Sequence, residues 1–284
     1  MKQFPIKYTN TMSIIALLTD FGTIDHYVGS MKAAIFSVNP RALIVDITHG
    51  VPPGDKVCGA FSLLMSYRDF PKSTIFVAVI DPGVGDKRNA IAIKCGGYFF
   101  IGPDNGVLSM TCDDIAAPMV VRTLANRYFR NPVSATFHGR DIFGPIAAHL
   151  SKGVAFEKLG PKQDSFLRCR LPQVIIEPHR IKGSVAYIDH FGNCITSITT
   201  SHLKQQLDSQ PVITIKRGKS FPLCSRYDEV PKGKPLGILG STGFLEVSIN
   251  CGNAAETLKV KRGDPVKVDV NRKTLKLSHI KTDT

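Results

Sequence analysis

The first half of the chain alternates continuous apolar runs with segments whose apolar residues recur at helical spacing. The runs "SIIALLT" (13–19), "ALIVDIT" (42–48) and "TIFVAVI" (74–80) are typical of buried strands. Between them, residues 27–38 and 57–65 carry apolar side chains three and four positions apart, which indicates helices. Buried strands separated by helices predict an α/β domain with a mostly parallel sheet and helices on both faces.

Two further segments extend this first domain. "NAIAIKCGGYFFIGPDNG" (89–106) resembles a β-hairpin with Gly96 and Gly97 at its turn, and a helix is expected after the glycine of "FHGRDIFGPIAAHLSKG" (137–153). From about residue 172 the pattern changes to short segments broken by Gly, Pro and Ser: "GSVAYID" (183–189), "PVITIK" (211–216), "PLGILGS" (235–241) and "FLEVSI" (244–249). These predict a small all-β barrel or sandwich. The expected domains are therefore residues 1–171 and 172–284.

The formal net charge of +13 raises the question of a nucleic-acid partner. Much of the excess lies in "TLKVKRGDPVKVDVNRKTLKLS" (257–278), where Lys259, Lys261 and Lys267 alternate with apolar residues. Alternation with a period of two is typical of strands with one solvated face and one core face. We therefore expect these charges to be the solvated face of antiparallel strands, and we expect no nucleic-acid partner.

The expected compartment follows from the apolar runs and the cysteines. No stretch reaches the roughly 18 to 20 apolar residues of a membrane helix, and the run at 13–18 lacks a signal-peptide cleavage pattern. The seven cysteines occur singly, with no C-x-x-C pair, as is usual for reduced thiols and unusual for disulfide frames or zinc sites. We expect a cytoplasmic protein without a membrane partner; Met12 is a possible alternative start to Met1.

Polar residues collect where the predicted strands end. Asp20 follows the first strand, Asp46 and His49 the second, and Asp81 and Arg88 the third. Ligands of open parallel sheets bind beyond the carboxyl ends of the strands, so these side chains are candidates for one site. Each acid alone also fits a simpler role, as a helix cap, an edge residue or a turn former.

The loop "DPGVGDKR" is the most specific of these features. Its Pro82, Gly83 and Gly85 allow a tight loop that brings Arg88 back towards Asp81, and such a pair can orient a water molecule. In "TFHGRDIFGP", His138 precedes a glycine at a helix start, where a neutral imidazole could hold a nucleophile or accept its proton, or could simply be a core histidine.

A metal hydrolase is an alternative that the same residues allow. Plausible ligands exist at Asp20, Asp46, His49, Asp81 and His138, but no H-x-H, H-E-x-x-H or D-x-D pair sets a chelating geometry. Arg88 would also compete with a cation for Asp81. Neither G-x-x-x-x-G-K-[ST] nor G-x-G-x-x-G follows a strand, so a phosphate-binding loop is not indicated. We expect no metal.

Six motifs in order resemble one family. They are "TDFGTIDHYVGSMK", "VIDPGVGDKR", "PDNGVL", "TFHGRDIFGP", "DHFGNCITSI" and "GSTGFLEVSINCGNAA", and the likeness runs from about Ile14 to Val270. The chain resembles the S-adenosyl-L-methionine hydroxide adenosyltransferases, the hydrolytic relatives of the bacterial fluorinase and chlorinase. The resemblance implies hydrolysis of S-adenosyl-L-methionine at C5′ to adenosine and methionine, without a cofactor. It also implies homotrimers whose active sites lie between the N-terminal domain of one subunit and the C-terminal domain of the next.

The resemblance also implies roles for individual residues. The catalytic triad falls on Asp81, Arg88 and His138. Asp20 matches the acid that binds both ribose hydroxyls, because two carboxylate oxygens can meet two adjacent donors. The remaining matches are Asp25 and Asp189 around the methionine part, Ser241 at the methionine carboxylate, Asn193 and the backbone at Ala254 at the adenine edge, and Phe191 and Tyr227 on the adenine rings.

Departures from the halogenating members favour hydrolysis. Those members carry a Tyr-Ser pair where this chain has His138 and Gly139, and an Arg where it has Thr242. Gly139 offers no hydroxyl to hold a halide. Halide-dependent adenosyl transfer and a non-catalytic adenosine or S-adenosylmethionine binder remain the alternatives. The sequence leaves open which triad member takes the proton and whether trimers pair into hexamers.

Overall fold

The computed structural model describes residues 13–204, 211–216 and 218–269. The chain forms two compact units, Met1–Arg170 and Leu171–Thr284. The alternative start at Met12 and the end of the Lys-rich pattern, residues 270–278, lie outside the described residues. Within the described ranges, no helix is both long enough and apolar enough to span a membrane.

Unit 1 is built on a seven-stranded mixed sheet with the order β2-β1-β3-β5-β4-β6-β7. The strands are β1 (Ile14–Thr19), β2 (Leu43–Thr48), β3 (Ile75–Val79), β4 (Ala90–Cys95), β5 (Tyr98–Pro103), β6 (Met119–Thr123) and β7 (Lys162–Gln163). Strands β2, β1, β3 and β5 are parallel, whereas β4, β6 and β7 continue the sheet in antiparallel pairs. The predicted parallel sheet and the hairpin at Gly96–Gly97 are both present.

Helices pack on this sheet because its central strands β1 and β3 bury apolar side chains on both faces. The helices are α1 (Tyr27–Val38), α2 (Lys56–Ser66), α3 (Ser109–Ile115) and α4 (Gly144–Ser151), the last preceded by a π-helical turn at Gly139–Phe143. Helices α1 and α4 share a core with Ile15 and Leu17 of β1, while α2 packs against α3. Every residue from Ile15 to Thr19 is fully buried, as expected for a strand covered on both faces.

Unit 2 is a closed β-barrel. Its strands are β8 (Ile175–Glu177), β9 (Arg180–Ile188), β10 (Cys194–Thr199), β11 (Val212–Ile215), β12 (Lys219–Cys224), β13 (Pro235–Leu239), β14 (Phe244–Ile249) and β15 (Pro265–Asp269), with short helices α5 (Thr200–Leu203) and α6 (Ala254–Thr257). The order is β10-β14-β13-β12-β11-β15-β9-β8, and an additional pairing of β10 with β9 closes seven strands into a ring. The expected all-β barrel is confirmed.

Two expectations about individual strands were wrong. Strand β2 was expected to be buried, but it is the edge of the sheet and several of its side chains reach solvent. In the Lys-rich segment, β15 does alternate, with Lys267 exposed between buried Val266 and Val268. Its first part does not, since Lys259 follows α6 in a turn with φ of +52°. Local alternation did not distinguish that helix end from a strand.

Candidate active site

Three side chains meet beyond the carboxyl end of β3. Arg88 Nε donates to Asp81 Oδ1 at 2.7 Å, and Arg88 Nη2 donates to Asp81 Oδ2. The same Nη2 also lies 2.9 Å from His138 Nδ1. The pair is mostly hidden from water, with 12% of the Arg88 side chain and 5% of the Asp81 side chain exposed. A buried fork-to-fork pair of this kind fixes the orientation of the guanidinium.

Close packing of two loops brings His138 to this pair. Gly85 has φ of +90°, and a Cβ placed there would lie 2.7 Å from the carbonyl oxygen of Ala135. The loop after β3 can therefore approach the segment leading to His138 only with glycine at this position. His138 itself precedes the π-helical turn. The fully buried Asp141 accepts from the Ser134 amide at 2.9 Å, which ties that turn to the same segment.

The contact with Arg88 determines the protonation state of His138. A guanidinium has only donors, so Nδ1 must accept and the imidazole must be neutral with its proton on Nε2. Burial lowers the pKa of His138, and the positive charge of Arg88 lowers it further. His138 therefore presents an Nε2–H donor beside the Arg88 guanidinium.

Asp20 lies at the end of β1, near this group. Its Oδ2 accepts from the Gly54 amide at 2.8 Å. Burial raises the pKa of Asp20, the Gly54 amide opposes that rise, and the charge of Asp81 adds to it. A half-buried carboxylate with spare lone pairs suits a pair of hydroxyl donors.

The segment that carries Asp20 is held by His49, which is buried. Thr19 Oγ1 accepts from the Phe21 amide at 3.2 Å and lies 2.8 Å from His49 Nδ1. The His49 carbonyl accepts from the Gly22 amide at 2.8 Å. Side chain and main chain of one residue thus fix the backbone on both sides of Asp20.

The outer side of His49 faces a half-exposed ion pair. His49 Nε2 lies 3.1 Å from Asp46 Oδ1, and Lys32 of α1 donates to Asp46 Oδ2 at 2.6 Å. Burial tends to raise the pKa of Asp46, but the hydrogen bond from Lys32 and the neighbouring His49 lower it on balance. From the sequence, Asp46 and His49 were candidates for the site itself. In the structure, His49 holds the backbone next to Asp20, and Asp46 contacts His49.

A second group of candidate residues lies in unit 2, at the end of β9. Asp189 Oδ1 accepts from the backbone N–H of Asn193 at 2.8 Å, and Asp189 Oδ2 accepts from the side-chain Nδ2 of Asn193, also at 2.8 Å. The Ala255 amide donates to the Gly192 carbonyl at 2.9 Å, which holds the start of α6 beside this loop. Asp189, Asn193 and the backbone at Ala254 are therefore neighbours.

The remaining candidates are accessible. Phe191 is 73% exposed and Tyr227 43% exposed, unusual values for aromatic side chains. In unit 1, Asp25 is exposed in the loop between β1 and α1; in unit 2, Ser241 is exposed in the turn between β13 and β14. The structure describes no polar partner for either of these two side chains.

Comparison with known proteins places this geometry in a family. The model of the S-adenosylmethionine hydroxide adenosyltransferase N-terminal domain matches residues 15–160, and the model of the C-terminal domain matches residues 183–267. The chain belongs to the S-adenosylmethionine hydroxide adenosyltransferase family. The resemblance inferred from the six motifs is confirmed.

Relatives of this adenosyltransferase-family chain include hydrolases and, at lower identity, fluorinases. An (R)-S-adenosyl-L-methionine hydrolase of Thermus thermophilus is 36% identical over 264 residues, which are 90% of this chain and 100% of the relative. One from Salinispora tropica is 34% identical over 89% of this chain and 97% of its own length. A fluorinase of Actinopolyspora mzabensis is 26% identical over 90% of this chain and 96% of the relative.

A solved structure supports the fold of this family member. A conserved protein from Thermotoga maritima has a TM-score of 0.85 and 37% sequence identity, covering 90% of this chain and 99% of the other.

Packing at Gly139 bears on the difference between hydrolytic and halogenating members. A Cβ at this position would lie 2.9 Å from Phe21 Cζ and 3.6 Å from Met31 Sδ. The first distance is shorter than real contacts allow, so the ring would have to move to admit any side chain. In this adenosyltransferase-family chain, position 139 thus admits a hydroxyl-bearing residue only if the Phe21 ring moves.

Sequence reasoning missed Glu246, which lies in the same region of unit 2. Burial raises the pKa of Glu246 to about 7, and the charge of Asp189 adds to the rise. Its strand position gave one signal, since a Glu within "FLEVSI" interrupts an apolar run. The sequence of that strand does not show which residues lie close to Glu246.

In the described ranges, no three His, Cys, Asp or Glu side chains are arranged to hold a metal ion.

Proposed function

We propose that this protein hydrolyses S-adenosyl-L-methionine to adenosine and L-methionine. The observation that carries the proposal is the Arg88 guanidinium bridging Asp81 and His138 next to Asp20. Family membership and the hydrolases at 34–36% identity support the same reaction. An oxygen nucleophile forms a bond to C5′ while the C5′–S bond breaks, and its electron pair leaves with the neutral methionine sulfur.

The donors around His138 suit an anionic nucleophile. Arg88 offers a positive charge and N–H groups, and His138 offers its Nε2–H, so both stabilise an oxygen that carries negative charge. Neither His138, whose Nε2 is protonated, nor Asp81, whose oxygens accept from Arg88, is a free base. We therefore propose hydroxide as the attacking species, positioned by Arg88 and His138 and with Asp81 fixing Arg88.

Substrate binding is divided between the two units in this proposal. Asp20 accepts from the ribose hydroxyls and Asp25 contacts the methionine part. In unit 2 the proposed contacts are Asn193 and the Ala254 backbone at the adenine edge, Phe191 and Tyr227 on its rings, and Asp189 and Ser241 at the methionine part. The exposure of Phe191 and Tyr227 supports this role, since stacking on a base would cover apolar surface that is otherwise in water.

A homotrimer follows from the same division. We propose that unit 1 of one subunit and unit 2 of the next surround each substrate, in a ring with three sites. Exposed apolar side chains in unit 1 support an interface there: Ile24 is 98% exposed and Tyr27 is 43% exposed. The seven free cysteines support the proposed cytoplasmic location.

The decisive experiment is incubation of the purified protein with S-adenosylmethionine, followed by chromatography of the products. Equal amounts of adenosine and methionine are expected. The reaction should continue in EDTA, because the sulfonium is already a good leaving group and needs no Lewis acid. A 5′-halogenated adenosine formed in chloride or fluoride, binding without turnover, or activity that disappears in EDTA and returns with zinc would each contradict the proposal.

A further inference from the structure

Asp141 is a fully buried acid in the π-helical turn that follows His138. Its Oδ1 accepts from Arg140 Nε at 2.7 Å, and its Oδ2 accepts from Arg140 Nη2 at 2.9 Å. Oδ2 also accepts from the backbone N–H of Ser134 at 2.9 Å. Burial tends to raise the pKa of Asp141, but the hydrogen bonds from Arg140 and from the Ser134 amide lower it on balance. The side chain is therefore a carboxylate whose two oxygens are both held in place.

The main chain of Asp141 holds the loop of residues 130–137, which leads to His138. The Asp141 carbonyl accepts from the Arg130 amide at 2.8 Å, and the Asp141 amide donates to the Phe137 carbonyl at 3.1 Å. Together with the Ser134 contact, these bonds attach the loop at its first residue, near its middle and directly before His138. Asp141 is thus a common attachment point for the backbone that carries His138.

The same loop contacts the segment that carries Arg88. Ala135 follows Ser134, and its carbonyl oxygen would lie 2.7 Å from a Cβ on Gly85. Gly85 is part of the loop that ends in Arg88. A shift of residues 130–137 would therefore disturb the 2.9 Å contact between Arg88 Nη2 and His138 Nδ1 from both sides.

Arg140 extends this anchor to the aromatic side chains beside the site. Its guanidinium, held by Asp141, lies 5.0 Å from the centre of the Phe137 ring. The Phe137 ring packs edge-on against the Phe21 ring, with 5.7 Å between the ring centres. Cation–ring and edge-on ring contacts are both favourable. The side chain that precedes His138 is thereby fixed as well.

The described hydrogen bonds of the Asp141 side chain go to Arg140 and Ser134, so an effect on the reaction would have to pass through His138. We propose that Asp141 is a positioning residue for hydrolysis, which holds the His138 imidazole at hydrogen-bond distance from Arg88. This rests on the proposed function, which it deepens by naming the residue that keeps the two donors for the nucleophile together. A displacement of about 1 Å at a reacting group can cost roughly 10²-fold in rate.

Asp141→Asn tests the proposal because the side chain keeps its size and loses its charge. The amide oxygen can still accept from Ser134, but the amide nitrogen is a donor and cannot accept from Arg140. The substitution therefore loosens the anchor without emptying a buried position. Arg140→Lys is the second variant, to be used if Asp141→Asn does not fold at the assay temperature. It changes a partly exposed side chain, keeps the charge and loses the two-point contact with Asp141.

Asp114→Asn is the matched control. Asp114 lies in α3 of the same unit and accepts from Arg68 Nη2 at 2.7 Å and from the Tyr67 hydroxyl at 2.6 Å. The control makes the same chemical change at another aspartate–arginine contact, and none of these three residues is a candidate for the site. It should leave kcat and KM unchanged.

Steady-state hydrolysis of S-adenosylmethionine gives the first readout. Asp141→Asn should lower kcat about 10- to 100-fold and change KM less than about threefold; Arg140→Lys should lower kcat in the same direction. In a His138→Ala background either substitution should change kcat less than about threefold, because the group that Asp141 positions is gone. Losses that multiply in the double variants, equal changes in kcat and KM, or an unchanged kcat would each overturn the proposal.

Nitrogen NMR of the imidazole gives a second readout that needs no turnover. The His138 signals are assigned by their absence in His138→Ala. Wild type and Asp114→Asn should show the neutral form with its proton on Nε2, whereas Asp141→Asn should show exchange between the two neutral forms, because Nδ1 no longer accepts steadily from Arg88. Unchanged signals in Asp141→Asn overturn the proposal. If the wild-type protein does not hydrolyse S-adenosylmethionine, the proposed function fails, and the NMR comparison still decides whether Asp141 positions His138.

Discussion

At the scale of single residues, the hydrogen bond from Arg88 to His138 decides what the imidazole can do. The three candidate catalytic residues were predicted from motifs, and a histidine expected beside a nucleophile could have been a base. Because Nδ1 accepts from a guanidinium, His138 is a donor, and the proton acceptor must be sought elsewhere. Its role, like those of the other candidate residues, remains a prediction that kinetics can test.

The pH dependence of hydrolysis follows from this tautomer. If hydroxide attacks, kcat/KM should rise about tenfold per pH unit through neutrality, because hydroxide concentration does. The pKa of His138 is lowered by burial and by the charge of Arg88, so its protonation adds a further loss only at acid pH, by breaking the contact with Arg88. The measurement is kcat/KM from pH 5 to 9. A plateau across neutral pH would indicate a histidine base and would contradict this prediction.

Asp20 and His138 should differ in their kinetic effects. Asp20→Ala removes the ribose acceptor and should mainly raise KM. His138→Ala removes a donor to the nucleophile and should mainly lower kcat, by about 10²- to 10⁴-fold. Steady-state kinetics of the two variants separates the roles, and similar changes in both parameters for both variants would show that the assignment is wrong.

At the scale of elements, the ends of β1 and β2 are joined through His49. Replacing His49 by Leu removes the His49 partner of the buried Thr19 hydroxyl, which then keeps only the Phe21 amide, and should cost about 1–3 kcal/mol of the free energy of unfolding. Asp46→Asn, which changes a half-exposed ion pair, should cost less than about 1 kcal/mol. Denaturant titration measures both; equal costs would mean that the inner contact with Thr19 contributes nothing of its own.

Elements were predictable where their own residues specify them. The apolar run at 13–19 and the helical spacing at 27–38 both gave β1 and α1 within a residue of their observed ends. The edge position of β2 was not predictable, because strand order depends on crossovers and not on the sequence of the strand itself. Glu246 was missed for the same reason. Its neighbour Asp189 follows a different strand and is more than 50 positions away in the sequence.

At the scale of the whole molecule, candidate residues are distributed over two compact units, Met1–Arg170 and Leu171–Thr284. A ring of three subunits would combine unit 1 of one chain with unit 2 of another. Part of the positive charge of the chain lies on a solvated strand face, as at Lys267 in β15.

Subunit complementation tests the trimer. His138→Ala and Asn193→Ala should each be inactive alone, since each removes one half of every site. After the two variants exchange chains, some interfaces contain an intact unit 1 and an intact unit 2, so activity should return. Mass spectrometry verifies the exchange. Mixed trimers without activity would place the whole site within one chain.

The contact between Gly139 and Phe21 couples two positions in any change at the start of the π-helical turn. A side chain gained at position 139 would lie too close to Phe21 Cζ, so the ring would have to move or be replaced. A hydroxyl at position 139 and the residue at position 21 are therefore expected to change together, although the two positions lie on different segments of unit 1.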